Sequence, residues 1–510
     1  MSGRGLTLPR LTYSSATAWF VLAAVLCLAA ADIAVTALNP WTEIGRLLGG
    51  IVRPDLLAVQ GMSLVWTVAF AMLGVSLGAG AGFLMALVFD RLLLVRLLCA
   101  FLRSVHELFW ALLLMQVWGL SPLTGILAIA IPYAGIFAKV YAEMIEEADL
   151  AAERVLPAGT SVVSRFAYAR LPVLAAQFRT YTLYRFECGL RSTLVLGFIG
   201  LPTIGFHLHS YFKQGDYAQA AGLLLAFYVL IGSRRLWVRA STVPVLIVAS
   251  LFLLPEGIGG GNALANLERF LTRDIVPAPF RHGGFLAPQT WAAFADWAGA
   301  IVTRQILPGT VQTLILSQIA LVATGFLALL CFPLVSRQFL GRGGHYLGRA
   351  LLVVVRSTPE YMLAYVLLQL LGPSMLPAII ALSLHNGAII GYLIGRHADS
   401  LQYRPDAPRG LNLYAYETVP RLYGQFLAYM LYRWEIILRE SAIFGILGVA
   451  TLGYYVDAAI SELRLDVAVF LILGVAGLSM TVDILSRSLR RHLRIDMLPT
   501  RLSNEAAIGR

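Results

Sequence analysis

The chain has 510 residues, 58% of them hydrophobic and only 13% charged, with a mean hydropathy of +0.75. A soluble globular chain is nearer half apolar and a quarter charged, so this composition describes a membrane protein and leaves over no soluble domain of ordinary size. The net charge of +11 would suit nucleic acid, but the arginines gather in gaps between apolar runs, which makes them a topology signal and excludes a nucleic-acid partner.

The apolar runs approach the ~20 residues that cross a ~30 Å hydrocarbon core. In chain order they predict spans near 16–38, 62–89, 93–118, 121–143, 173–200 and 218–236. A second series follows near 241–255, 307–335, 346–371, 376–396, 421–448 and 466–486. The first run follows Arg4 and Arg10 as a signal peptide would, but it is long for one and reads as an uncleaved span. The longest polar gap, 257–305, carries "EGIGGGN" and "PAPFRHGG" and reads as interfacial segments outside the cell. Arginines fill alternate gaps: Arg91, Arg96 and Arg103; then Arg154, Arg165, Arg170 and Arg179; and so on to Arg487, Arg490, Arg491 and Arg494. This alternation puts both termini in the cytoplasm. Cys27, Cys99, Cys188 and Cys331 sit in apolar surroundings without paired spacing, which argues against a disulfide framework and against a zinc site.

The second series repeats the first. Sliding Pro172–Gly205 onto Pro420–Gly453 at an offset of 248 gives 15 identities in 34 positions. They include Tyr181/Tyr429, Arg185/Arg433, Glu187/Glu435 and Arg191/Arg439. A second block, Arg103, Ser104 and Glu107, matches Arg356, Ser357 and Glu360 at an offset of 253. The expected fold is therefore an all-α polytopic membrane protein of about 12 transmembrane helices, arranged as two parallel six-helix repeats: residues 1–240 and 241–510. Two parallel repeats imply a pseudo-two-fold axis along the membrane normal, with equivalent charges facing one another across a shared path.

The charged block, "LYRFECGLRSTLVLG" and again "LYRWEIILRESAIFG", is unusual at this depth. An arginine or aspartate at mid-bilayer costs roughly 2.5–3.5 kcal/mol on insertion scales, so Arg185, Glu187, Arg191, Arg433, Glu435 and Arg439 cannot all face lipid. Spacing of four puts Glu187 on a face with Arg191, and Glu435 with Arg439, while Arg185 and Arg433 point elsewhere. Two readings stand. The charges form buried ion pairs that fasten spans together, or some line the path or gate for an anion, since a guanidinium presents a planar fork matched to phosphonate or phosphate oxygens. On the second reading Arg191 and Arg439 are the favoured pair. Glycines follow in both copies, Gly197, Gly200 and Gly205 and then Gly445, Gly448 and Gly453, and predict a kink or re-entrant turn near the outer mouth.

Between the fourth and fifth spans lies "AAERVLPAGTSVVSRFAYARLP", with Glu153 six residues before Gly159 and Gly159 twelve and thirteen before Leu171 and Pro172. This spacing resembles the signature loop of permease subunits of ABC importers. "LYRFE" with "LRS", "RSVHE" from Arg103 and "KVYAE" from Lys139 narrow the resemblance to permeases of phosphonate ABC importers, here as two permeases fused in one chain. It implies the type I importer permease fold, and a loop at about 146–172 whose Glu153, Gly159, Leu171 and Pro172 couple to an ABC ATPase dimer. It further implies a periplasmic substrate-binding protein as partner and a multi-pass location in the bacterial cytoplasmic membrane. The corresponding loop at about 398–420 lacks the pattern: Leu401 and Ala407 stand where Glu153 and Gly159 would. Asp406, Gly410 and Pro420 are its candidate coupling residues by position alone.

Other chemistry is missing. The two lysines, Lys139 and Lys213, follow Ala and Phe, so no Gly-Lys-Ser/Thr phosphate loop exists and ATP is expected to be hydrolysed by a partner subunit, with no cofactor, metal or catalytic residue in this chain. "HELFW" at His106 starts like a zinc-protease helix but lacks the second histidine and reads as a helix start; His207 and His209 read as a satisfied or solvated pair rather than ligands. The expected function is permeation of phosphonates or related phosphorus oxyanions. The alternatives are an ABC permease for phosphate, phosphite, ferric iron or thiamine, and an ion-driven secondary transporter, which would favour mid-membrane carboxylates. A membrane-embedded lipid enzyme lacks a His, Asp or Cys constellation.

Overall fold

The structure is a computed structural model that describes residues 12–148, 151, 156–157, 159–239, 241–257 and 262–493. Every regular element in it is helical. Six helices are long and apolar enough to cross a membrane: Gly61–Ala86, Pro122–Glu146, Tyr217–Trp237, Pro288–Leu334, Leu376–Asp399 and Leu465–His492. Three further pairs meet the same test jointly but are sharply bent, which brings the number to as many as nine.

The bends divide what the sequence presents as continuous runs. Leu93–Ser104 meets Glu107–Trp118 at 95°, and Gly343–Ser357 meets Glu360–Leu371 at 89°. In the second pair Pro359 forces its predecessor out of the α region, and Thr358 is extended at φ −73°, ψ 121°. In the first pair His106 breaks and restarts the helix, its ring accepting from the Leu108 amide as an N-cap. Two predicted spans fall short. The 16–38 run is helical only over Tyr13–Leu28, because the chain then extends and ties into the end of Glu360–Leu371, with the Thr36 and Ala37 amides donating to Leu371 O. The 241–255 run is helical only over Val243–Phe252. The gap at 257–305 is itself largely helical, and Pro288–Leu334 runs unbroken through 47 residues into the predicted 307–335 span.

The order of elements from Gly61 to Trp237 recurs from Leu307 to His492: a long helix, a bent pair, a long helix, a π-widened turn leading through a proline into a charged helix, a short helix and a long helix. The π turns, Phe166–Arg170 and Leu413–Thr418, lie just ahead of Pro172 and Pro420. Each proline removes one amide from the ladder, and the preceding turn widens to an i→i−5 bond, Leu171 N to Phe166 O in the first copy.

Close packing is built from small residues. Gly74, Gly78 and Gly82 recur every four residues, and a Cβ at each would come within 2.8, 2.9 and 2.5 Å of Ile129, Tyr133 and Phe137 on Pro122–Glu146. In the later set the ridge sits on the opposite member of the pair: Gly387, Gly391 and Gly395 of Leu376–Asp399 press on Leu327, Ala328 and Phe332. The two short apolar helices cross over. Tyr13–Leu28 packs on Leu307–Cys331, where Gln318 Nε2 donates to Phe20 O at 2.9 Å, and Val243–Phe252 packs on Gly61–Ala86. The predicted glycine kinks are turns of this kind: Gly200 and Gly448 adopt φ of +95° and +89°, and Val162–Ile199 bends by 57° into Ile204–Gln214.

Candidate functional site

Between the two sets of helices lies a cavity of about 150 Å³, of the order that admits a benzene-sized molecule elsewhere. The two charged helices bring Tyr184, Arg185, Cys188, Arg191 and Ser192 from one side and Tyr432, Arg433, Ile436, Arg439 and Glu440 from the other. The positions recur at three- and four-residue steps, which keeps them on one helical face. The bent pairs add Glu107 and Glu360 from the starts of their second helices, and Leu376–Asp399 adds His385.

All four arginines named from the sequence in this block therefore meet, but the expected grouping of faces is not the observed one. Arg185 and Arg433 turn toward the cavity with Arg191 and Arg439, whereas Glu187 and Glu435 leave it. The reason is competition from neighbouring helices: Glu187 pairs with Arg234 of Tyr217–Trp237, and Glu435 pairs with Arg103 at 3.0 Å. These two carboxylates are fasteners, and the second ties one set of helices to the other.

The four cavity guanidiniums are held by neutral groups. Arg191 Nη1 donates to Arg356 O at 3.1 Å, and Arg439 Nη1 donates to Arg103 O at 2.6 Å. Arg356 and Arg103 are themselves equivalents, so each arginine caps the broken helix of the opposite set, where carbonyls lack amide partners and a cation is favoured. Arg185 Nε donates to Tyr181 Oη at 2.8 Å, and Arg433 Nη1 to Asn386 Oδ1 at 3.0 Å. Among the described residues none of the four lies within 4.0 Å of a carboxylate oxygen. The cavity's three glutamates and four arginines leave a formal charge of +1.

The residues that spacing alone did not single out are the glutamates and His385. Glu107 Oε1 accepts from Ser192 Oγ at 2.8 Å, and Glu440 Oε2 accepts from Asn386 Nδ2 at 3.0 Å. Glu107 and Glu360 had a signal in the offset-253 repeat. Glu440 and His385 had none, since their equivalents are Ser192 and Pro132. Among the described residues, Glu360, His385 and Glu440 are the one trio whose ligand atoms gather within 4.8 Å as metal ligands would, although the arginines around the cavity oppose a cation there. His209 packs between Phe198 and Tyr365 at centroid distances of 4.6 and 5.1 Å, away from this trio.

Of the loop residues, Glu153 lies outside the described residues. Gly159 adopts φ +95° in a turn closed by Thr160 N to Pro157 O, and Gly410 adopts φ +64°. Leu171 and Pro172 open the helix Leu171–Leu196, Pro420 stands at the start of Val419–Ser441, and Asp406 lies on an exposed turn 3.9 Å from Arg404. Val163 and Tyr168 are 78% and 79% exposed, and their equivalents Leu411 and Tyr416 are 83% and 77% exposed.

A multi-pass bundle with a polar cavity between two similar sets of helices defines a membrane permease. The chain is 26% identical over 475 residues to a phosphate-import permease protein of Mycolicibacterium smegmatis, covering 86% of this chain and 87% of that one. It is 29% identical over 209 residues to a phosphite transport system permease protein of Stutzerimonas stutzeri, where 39% of this chain covers 76% of the relative. A putative phosphite transport system permease of the same species is 34% identical over 131 residues, 26% of this chain and 50% of the relative. No family model and no solved structure matches the chain. The chain is a membrane permease subunit similar, along most of its length, to the phosphate- and phosphite-type transport permeases.

Proposed function

We propose that this permease carries a phosphorus oxyanion, a phosphonate, phosphite or phosphate, inward across the bacterial cytoplasmic membrane. The observation that carries the reading is the set of four guanidiniums around one cavity with no carboxylate in ion-pair contact among the described residues. Placing unpaired arginines within a membrane is costly, and an anion that forms charge-assisted hydrogen bonds with them offsets that cost. The near balance of charge in the cavity suits transit, because a path must bind its cargo weakly enough to release it. The relatives, a phosphate-import permease and a phosphite transport permease, support the same class.

In this reading residues 1–240 and 241–510 are two permease halves of the type I importer kind, with about 12 spans and both termini in the cytoplasm. The repeated element order supports it, as does a phosphite permease matched for most of its length by about two fifths of this chain. The six long helices, the three bent pairs and the charged Val419–Ser441 are then ten spans, and Tyr13–Leu28 and Val243–Phe252, each shorter than the ~20 residues a crossing needs, are the helical parts of the remaining two. The loops at 146–172 and 398–420 meet an ABC ATPase dimer, with exposed Tyr168 and Tyr416 at equivalent points, and a periplasmic binding protein delivers the cargo. ATP binding then moves the halves against each other. Arg191 and Arg439 each hold the other half's broken helix, so that motion must remake both contacts.

The test is uptake of labelled methylphosphonate by vesicles holding the permease with its ATPase and binding protein. Arg191→Gln should abolish ATP-dependent uptake while the complex still assembles. Wild-type uptake with Arg191→Gln would remove the cavity from the path.

A further inference from the structure

The four arginines of the cavity obey the repeat, as do Glu107 and Glu360, but two of its acceptors do not. Glu440 stands where the first half has Ser192, and His385 where it has Pro132. With Glu360 they form a corner on one side of the cavity, their ligand atoms within 4.8 Å of one another and His385 Nε2 3.7 Å from Glu360 Oε2. His385 Nδ1 lies 2.8 Å from Thr358 O. A carbonyl only accepts, so Nδ1 carries a proton, and in the singly protonated ring Nε2 faces Glu360 as a third acceptor. Glu440 Oε2 already takes one bond from Asn386, which orients the carboxylate. Beside this corner Tyr361, a residue 2% exposed, lines the cavity, and its buried hydroxyl has no hydrogen-bond partner among the described residues. The cavity thus offers four cationic donors and, besides Glu107, a cluster of acceptors at one corner.

We propose that this corner reads a hydroxyl on the cargo, so that the cavity selects a monoprotonated phosphorus oxyanion, with its P–OH donating to Glu360 or Glu440 and its anionic oxygens turned to the arginines. This rests on the cavity being the anion's path. A sulfonate of the same charge and shape has no proton to give, and its oxygens would meet the carboxylates. Sites built to bond a substrate hydroxyl reject the analogue that lacks it far more strongly than apolar sites reject a missing methylene.

The experiment is calorimetric titration of the full-length permease in lipid nanodiscs with methylphosphonate and with methanesulfonate at neutral pH, with and without EDTA. The expected result is that methylphosphonate binds at least ~10-fold more tightly. Glu440→Ser, which copies the first half, and Glu360→Gln should each bring the ratio toward one. Equal binding of both anions, weakened for both by Arg191→Gln, would leave the anion cavity standing and overturn the selection; a protonated corner that donates would give this result. Loss of the ratio in EDTA would assign the corner to a metal and also overturn it. Binding of neither anion would overturn the cavity reading and this inference together. The wild-type ratio decides even if a variant fails to fold.

Discussion

Arg103 is the cation whose removal the structure says most about. It is 8% exposed and bridges two carboxylates of the opposite half, Glu435 at 3.0 and 3.3 Å and Asp483 through the other arm of the guanidinium. Removing one partner of a buried ion pair typically costs about 3–5 kcal/mol, because the remaining charge stays buried without compensation. Here the two carboxylates differ. Asp483 keeps Arg487 at 2.8 Å, whereas Glu435, with a side chain 9% exposed, loses its one ion-pair partner among the described residues. Arg103→Met should therefore sit near the lower end, about 3 kcal/mol. Thermal unfolding of the purified permease, followed by size-exclusion chromatography, measures the loss. The double variant Arg103→Met with Glu435→Gln should recover most of it, since no bare charge remains. Arg356, the repeat equivalent, makes no ion pair among the described residues and stacks on Tyr392 at 4.4 Å, so Arg356→Met should cost less. A single-variant loss under about 1 kcal/mol, or a double variant no better than the single, would refute the reasoning.

Other outcomes follow from the same contacts. A Cβ on Gly453 would lie 1.6 Å from Ala442 O, and one on Gly205 2.0 Å from Leu194 O, so either Gly→Ala change should cost upward of about 3 kcal/mol in the same unfolding assay. Gly477→Ala, with nothing within 4 Å, should be neutral or stabilising by up to about 1 kcal/mol. Thr67 Oγ1 accepts from the buried Ile204 amide and Thr313 Oγ1 from that of Leu452, both at 3.0 Å, and Thr→Val at either should cost about 1–3 kcal/mol. If the two loops engage the ATPase alike, Tyr168→Asp and Tyr416→Asp should each reduce ATPase co-purification without changing the permease's own melting; a reduction from one alone would show that the halves dock unequally.

The amino-acid sequence by itself determined the membrane class, because composition and run length are read directly against the thickness of the hydrocarbon core. It also determined the repetition of the charged block, since identity at a fixed offset needs no geometry. Tertiary structure alone decided what each charge meets. Glu187 and Glu435 are as well repeated as the arginines, yet Arg234 and Arg103 draw them out of the cavity. Glu440 and His385 enter it without any repeat to announce them. Span ends were hidden for a similar reason. The stretch after Leu28 is apolar enough to continue as a helix, but it ties its amides to Leu371 instead. Hydropathy reports which segments leave water; the rotation of each helix and the claims of its neighbours, set by packing across hundreds of residues, determine where a side chain points.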